Sequence, residues 1–231
     1  GDYQEIHTGG LEEIPGNAFL GCSNLEKVVF EEDSKLKIIG LCAFEYCRKL
    51  ETFDMPDTVT TINQWAFAGC YALEMELSKG LTYVGYQPFP SQMCEIEDGC
   101  YYVQNWLIEG YYGDSGVVSI REGTIGIADS AFYAYYSDSI TSLFIPASVQ
   151  YICVEALEGQ TALKTVTIAE GSLLKTIGSY AFSDCTALES INLPSKLEYI
   201  GFDCFEGCTS LKSVTWDTEY DWILSKRSWD F

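Results

Sequence analysis

The sequence predicts an α/β repeat, a solenoid of stacked units that each contribute a short strand of a parallel sheet and a short helical turn. Three observations lead to this prediction. One motif recurs along the 231 residues, alternating apolar residues follow most copies of it, and glycine or proline separates the copies. A single unit of this kind cannot bury its apolar side chains, whereas stacked units bury them in one continuous core.

The motif is most complete at residues 177–194, where it reads I-G-x-x-A-F-x-x-C-x-x-L-x-x-I-x-L-P. Aligned on its Ala-Phe pair, the chain contains eight units, spaced by 22 to 25 residues except for one gap of 43 between the fourth and fifth. The second residue of the pair, called the Phe slot below, is Phe19, Phe44, Phe67, Phe89, Phe132, Leu157, Phe182 and Phe205.

Other positions of the unit also keep their character. A β-branched residue stands five positions before each Phe slot, from Ile14 to Ile200, and in five units Cys stands three positions after it. The alternation that follows, as in Val166-x-Ile168, predicts a half-buried strand. The three-residue spacing of Ala-Phe-x-x-Cys-x-x-Leu fits a single helical or 3-10 turn.

Three units depart from this pattern. In the third, Met75 and Leu77 arrive one residue early relative to neighbouring units. This shift predicts a bulge or a register adjustment. In the fifth and sixth units, Tyr135 and Gln160 stand where Cys is usual.

Residues 11–90 and 124–216 resemble the BspA-type leucine-rich repeats of bacterial and protist surface proteins. The resemblance is carried by Leu-x-x-Val/Ile-x-Ile/Leu-Pro followed by Ile-Gly-x-x-Ala-Phe-x-x-Cys, repeated in phase. It implies a right-handed, curved leucine-rich-repeat solenoid, and we expect the parallel sheet on its concave face. By analogy of fold, it also implies extracellular adhesion or protein binding.

Two segments leave the repeat. Residues 91–123 contain β-prone stretches separated by Gly and Asp, which predict a β-hairpin or small strand insertion. Residues 217–231 carry large apolar residues and are interpreted as a C-terminal cap over the last open face, with a partner-binding segment as the alternative. Because stacking can run through the insertion, we expect one domain spanning residues 1–231.

The ten cysteines are interpreted mainly as small core residues, because five of them occupy one repeated slot. Disulfides between stacked units are conceivable, and Cys94 and Cys100 in the insertion are the best candidates. A zinc site would need four thiolates at one point, which a linear column does not supply. We therefore predict no metal and no cofactor.

Charge and composition exclude several functions. A net charge of −21 disfavours nucleic acid and anionic membranes as partners and favours a soluble monomer. No apolar run approaches the ~18 residues that a membrane span needs. The single histidine, His7, precedes the first repeat, so no catalytic pair is evident and an enzyme is not expected. The acidic stretches 31–33 and 95–98 are interpreted as solvated turns rather than calcium loops.

Two surfaces are candidates for partner binding. The first is an aromatic patch from the insertion and the fifth unit, and packing against the solenoid is the alternative role of these rings. The second is the concave face, where the second half presents a row of Ser and Thr with little charge. The patch consists of Tyr101, Tyr102, Trp106, Tyr111, Tyr112, Tyr133, Tyr135 and Tyr136. The concave-face candidates are Thr52, Asp54, Phe144, Thr165, Thr167, Ser190, Asn192, Ser213 and Thr215.

The function expected from these features is a non-enzymatic protein-binding or adhesion module of a secreted or cell-surface bacterial protein. Its partner would be a host or bacterial surface protein, or a glycan, and a signal peptide would have been removed. The alternatives are a structural spacer that presents another domain and a glycan-binding module.

Overall fold

The structure, a computed structural model, describes residues 4–110, 116–133 and 140–216. It is a β-solenoid in which most units contribute two short strands. In chain order, the strands of the described residues are β1 Glu5–His7, β2 Glu13–Ile14, β3 Lys27–Val29, β4 Ile38–Ile39, β5 Thr52–Phe53, β6 Thr61–Ile62, β7 Tyr83–Val84, β8 Glu95–Glu97, β9 Cys100–Val103, β10 Trp106–Glu109, β11 Val117–Ser119, β12 Gly126–Ile127, β13 Ser142–Ile145, β14 Tyr151–Ile152, β15 Thr165–Ile168, β16 Thr176–Ile177, β17 Ser190–Leu193, β18 Tyr199–Ile200 and β19 Ser213–Trp216.

The strands form two parallel ladders, and each ladder is interrupted once. The polar ladder consists of β1-β3-β5 in the first half and β11-β13-β15-β17-β19 in the second. The Ile-Gly ladder consists of β2-β4-β6-β7 in the first half and β12-β14-β16-β18 in the second. The β-branched slot is buried or half-buried in every unit and, within each half, pairs in register with the next, as in Ile152 with Ile177. The eight predicted units are therefore confirmed.

The predicted helical turns, and with them the α/β class, are wrong. Within the described residues the only helix is a 3-10 turn at Ser91–Met93. In the Ala-Phe segments, positive φ recurs two residues before and two residues after the Phe slot, as at Trp65 with 55° and Gly69 with 74°. Positive φ at the third position of a turn is the requirement of type II, which cannot continue as a right-handed helix.

Hydrogen bonding gives the physical reason for this difference. The Phe44 N–H donates to the Ala66 carbonyl of the next unit at 2.8 Å, and Phe182 donates likewise to Cys204 at 2.9 Å. Alternate donors thus point along the solenoid axis, while those between them close local turns. Three-residue spacing is shared by a 3-10 helix and by consecutive turns, so spacing alone could not separate them.

The predicted hairpin is confirmed. Strand β9 pairs antiparallel with both β8 and β10. Asp98 and Gly99, which join β8 to β9, have φ values of 47° and 79°. Positive φ at both central residues fits a type I′ turn, the connection favoured in two-residue hairpins.

The predicted insertion 91–123 is too long, because part of it belongs to the solenoid. Strand β10 pairs parallel with β12 of the Ile-Gly ladder, with Leu107 opposite Ile127. Strand β11 pairs parallel with β13 of the polar ladder, with Val118 opposite Leu143. These two strands contribute an additional coil that begins the second half, and the true interruption is the hairpin arm β8–β9.

The third unit shows the irregularity that its early apolar residues predict. Instead of a strand it contributes an isolated bridge between Thr52 and Glu74. The polar ladder of the first half ends here. The amide of Gln104, in the hairpin turn, donates to the Met75 carbonyl at 3.2 Å and accepts from the Leu77 N–H at 3.1 Å. A side chain of the hairpin therefore satisfies backbone groups that a regular strand would have paired.

Candidate binding surfaces

The polar ladder of the second half presents a regular row of exposed side chains. Burial alternates along the strands, so that Ile191 and Leu193 of β17 are buried while Ser190 and Asn192 are exposed. Asn192 lies opposite Thr215, whose hydroxyl donates to the Asn192 Oδ1 at 3.0 Å. Eight of the nine predicted concave-face residues are exposed and Phe144 is half-buried. Their role in binding stays a prediction.

Two members of the predicted aromatic patch are buried. Trp106 is 2% exposed and Tyr102 is 1% exposed, so neither ring can contact a partner from the folded protein. The Trp106 ring stacks parallel to Tyr151 at 6.3 Å and covers Gly126, where an added Cβ would lie 2.3 Å from the indole. For these two residues the alternative role, packing within the protein, is the observed one.

The rest of the predicted patch is divided. Tyr101 is half-buried and Tyr133 is 44% exposed, so both can still belong to a surface. Four predicted members, Tyr111, Tyr112, Tyr135 and Tyr136, lie outside the described residues, as does the predicted cap 217–231.

Arg121 holds the hairpin arm against the solenoid. Its guanidinium lies over the Tyr102 ring, 4.3 Å from the centroid, and pairs with Glu95 at 2.8 Å and Glu97 at 3.4 Å. A cation over an aromatic face is attracted by the ring quadrupole. The acidic stretch 95–98 is therefore not a simple solvated turn, because two of its carboxylates lie on a strand and pair with Arg121.

The cysteine slot has a second role besides packing. The thiols of Cys47 and Cys70 donate to the carbonyl oxygens of Phe19 and Phe44, one unit earlier, at 3.1 and 3.0 Å. In the sixth unit the Gln160 amide donates to the Phe132 carbonyl in the same way, at 2.5 Å. The slot thus supplies a second donor to carbonyls that already accept a backbone N–H within their own turn, as Phe44 does from Cys47 at 3.0 Å. None of the ten cysteines, Cys94 and Cys100 included, forms a disulfide.

One half-buried acid lies between the two halves. The Tyr83 hydroxyl of the first half donates to the Asp129 carboxylate, which also accepts the Val154 N–H at 2.8 Å. Burial raises the pKa of Asp129 to about 6, and the Tyr83 and Val154 hydrogen bonds limit the rise. The carboxylate faces Glu155 as a further charged neighbour. The sequence offered no signal for this pair, because its members are 46 residues apart.

Other candidate chemistry finds little geometric support. His7 lies near Glu5, with 3.2 Å between Nε2 and Oε1, and both side chains are largely exposed. The residues of the acidic stretch 31–33 are exposed. Within the described parts of the chain, no cluster of His, Cys, Asp and Glu could hold a metal ion. In the same parts, no helix is long and apolar enough to span a bilayer.

A groove on the turn side of the first half was not predicted. It encloses about 590 Å³ beside the Ala-Phe turns of the second to fourth units and the hairpin. Its aromatic wall includes Tyr46, Trp65 and Tyr71, which are 46%, 37% and 62% exposed. The sequence does carry a signal for it, since all three flank a Phe slot at positions where most other units have small or polar residues.

Comparison with solved structures finds bacterial leucine-rich repeat proteins. The pneumococcal vaccine antigen PcpA is 18% identical at a TM-score of 0.50, a likeness that covers 92% of this chain and 61% of PcpA. The chain thus spans about three fifths of that relative. A leucine rich cell surface protein from Faecalibacterium prausnitzii is 22% identical (TM-score 0.39), over 90% of this chain and 77% of that protein. The T. pallidum leucine rich repeat protein is 20% identical (TM-score 0.41), over 92% and 80%.

Comparison with the sequences of curated proteins gives no match. The family profile of the BspA type leucine rich repeat region matches residues 5–106 and 125–226 in six copies. These ranges cover most of the chain and leave out residues 107–124. The chain therefore belongs to the BspA-type leucine-rich repeat family.

Proposed function

We propose that this chain is a non-enzymatic module for protein binding or adhesion, carried by a secreted or cell-surface bacterial protein. It acts as a monomer and as a single domain spanning residues 1–231, with residues 217–231 as its cap. The solenoid is right-handed, and the polar ladder lies on its concave face. Membership of a leucine-rich repeat family supports this proposal.

The observation that carries the proposal is the exposed row on strands β13 to β19. Its strands run parallel, pair in register and alternate between buried and exposed side chains. The row requires no rearrangement to meet a partner, which limits the entropy lost on binding. Its side chains are mostly hydroxyls and amides, which supply hydrogen bonds without a fixed charge.

A structural spacer is the second candidate. The same row contains almost none of the Trp, Tyr and Arg that dominate most binding hot spots. Under this alternative the regular surface only maintains the stack, and another part of the full protein binds the partner.

Affinity capture separates the two candidates. The immobilised protein is incubated with extracts of bacterial and host cell surfaces, and captured proteins are compared with those on a variant carrying Thr167→Lys and Asn192→Lys. We expect the wild type to retain a protein that this variant loses. A matched control with Ser23→Lys and Thr209→Lys, both at exposed turns, should retain it.

Capture of no protein by the wild type would favour the spacer. A glycan array run in parallel tests the remaining alternative. Binding of a glycan without any captured protein would replace protein binding by glycan binding.

A further inference from the structure

We propose that the groove on the turn side of the first half binds a lysine- or arginine-bearing segment of a protein partner. This inference rests on the proposed protein-binding function and assigns a site and a ligand chemistry to it. Its aromatic wall is formed by Tyr46, Trp65 and Tyr71, and its carboxylates by Glu45 and Glu109.

The aromatic rings are not required by the fold. Tyr46 occupies a position, two residues after the Phe slot, that is Gly21, Gly69 or Gly207 in other units. Trp65 occupies a position, two residues before the Phe slot, that is Asn17 or Ser130 elsewhere. Units with these small residues stack in the same ladders, so the rings contribute something other than stacking.

The backbone at these positions even disfavours bulky side chains. Tyr46 and Trp65 have φ values of 60° and 55°, in the left-handed region. Gly, Asn and Asp adopt this region most readily, and a bulky residue there is uncommon. Two large aromatic residues are therefore kept at a conformational cost, and both remain substantially exposed.

The rings are held in place before any ligand arrives. The Tyr46 ring lies against Gly69, where an added Cβ would come within 2.5 Å of Cδ1. The Trp65 indole packs edge-to-face with Tyr86, with 6.2 Å between centroids. A wall that is already ordered loses little entropy when a ligand binds.

The charges of the groove select the ligand. Its lining contains Glu45 and Glu109 but no Lys or Arg, on a chain whose net charge is −21. A cation beside aromatic rings is stabilised by the ring quadrupole and, here, by the carboxylates as well. A basic side chain satisfies both features, whereas an acidic segment would be repelled by the same carboxylates.

The test titrates ¹⁵N-tryptophan-labelled protein with the peptide acetyl-Gly-Gly-Arg-Lys-Gly-Gly-amide and follows the indole N–H signals by NMR. The Trp65 signal is identified as the one that Trp65→Leu removes. We expect this signal to move saturably with the basic peptide and to stay in place with the peptide in which Gln replaces Arg and Lys. An equal response to both peptides would overturn the proposal.

Variants distinguish specific binding in the groove from non-specific attraction of the basic peptide to an acidic protein. We expect Trp65→Leu, which keeps every charge, to weaken peptide binding about threefold to tenfold, as followed by peptide fluorescence anisotropy. Glu45→Gln with Glu109→Gln should weaken it more than Glu122→Gln with Glu198→Gln, a charge-matched pair of exposed residues outside the groove. Unchanged binding by Trp65→Leu, with equal losses for the two charge pairs, would reduce the effect to non-specific attraction and refute the site.

Affinity capture with Trp65→Leu links the groove to the proposed function. If the wild type captures a partner and Trp65→Leu captures it equally well, the groove is not its site, although protein binding stands. If the wild type captures nothing while the peptide titration succeeds, the protein-binding function fails and the cation site stands alone. Circular dichroism melting of each variant checks that the fold is retained.

Discussion

At the level of single residues, the repeated cysteine shows how one slot combines packing with hydrogen bonding. Cys70 is fully buried, and its thiol donates to the Phe44 carbonyl at 3.0 Å. Burial raises the pKa of Cys70 to about 12, so the thiol keeps its proton and remains a donor at neutral pH. The sequence predicted that the cysteine would be buried, but it did not predict that the thiol donates a hydrogen bond. Gln160, which replaces Cys in the sixth unit, donates to the Phe132 carbonyl in the same way.

Substitution of Cys70 tests this role. Cys70→Ala removes one of the two donors to the Phe44 carbonyl, and we expect the free energy of unfolding to fall by about 0.5–1.5 kcal/mol from the lost hydrogen bond. Cys70→Ser keeps a donor and should lose less. Urea denaturation followed by circular dichroism measures both. A serine variant no more stable than the alanine variant would show that the slot needs only apolar volume.

Asp129 makes a prediction about pH. Its pKa of about 6 in the folded protein lies above its ordinary value of 3.8, so the folded state binds the proton more tightly than the unfolded state. The contribution of this group to stability should therefore rise as pH falls through about 6 towards 4, by at most about 3 kcal/mol.

Asp129→Asn isolates this contribution from the many other carboxylates. We expect the variant to be more stable than the wild type at pH 7.5 and the difference to shrink as pH falls to about 4.5, because the wild-type carboxyl then becomes neutral too. Urea denaturation at a series of pH values measures the difference. A difference independent of pH would show that Asp129 does not titrate in this range.

At the level of the repeated elements, close approach of neighbouring coils explains the glycine that follows the β-branched slot. A Cβ on Gly178 would lie 2.6 Å from the Cys153 carbonyl carbon and from the Val154 nitrogen, both backbone atoms of the preceding coil. A Cβ on Gly40 would lie 2.5 Å from the Gly16 nitrogen. In the Ile-Gly pair, the isoleucine side chain is buried in the core, and the glycine backbone lies so close to the preceding coil that no side chain fits there.

Gly178→Ala should therefore destabilise the solenoid. The new methyl group must push two coils apart, and overpacking of this kind costs about 1–3 kcal/mol. Gly10→Ala is the matched control, since nothing lies within 4 Å of the added Cβ there. Thermal melting should show a lower midpoint for the first variant only. Equal melting midpoints for the two variants would show that the coils can move apart to accept the methyl group without loss of stability.

At the level of the whole molecule, two buried clusters meet at the hairpin. One contains the core of the first half together with Val103, Trp106 and Ile108 of the hairpin, and the other contains the core of the second half together with Tyr102 and Leu107. Successive residues of one hairpin thus enter opposite cores. This arrangement supports the proposal that the two halves unfold as one domain.

Trp106→Ala tests this coupling. We expect one cooperative transition in calorimetry of the wild type. The variant should lose about 3–5 kcal/mol, the usual cost of truncating a buried Trp, and its transition should broaden or divide. Trp65→Ala, at an exposed position, should change stability by roughly 0.5 kcal/mol or less. Two transitions in the wild type would contradict the single domain.

The repeat period, the buried slots and the hairpin could all be predicted from the sequence. Each of these features depends on the spacing of residues close together in the sequence. Because every unit packs on its neighbour through the same positions, the motif that marks those positions recurs along the chain. The Ala-Phe turns show the limit of this approach. Their apolar spacing fits two local conformations, and the choice is made by hydrogen bonds to the next coil.

The aromatic residues show the same limit for the candidate surfaces. The sequence left two roles open for Trp106 and Tyr102, an exposed patch or packing, and the fold buries their rings against Gly126 and Arg121. It also exposes Tyr46, Trp65 and Tyr71 around one groove. Local periodicity therefore specifies the coil and its core. The joint at Asp129, the boundary of the hairpin and the turn-side groove depend on residues distant in sequence, whose proximity exists only once the coils have stacked.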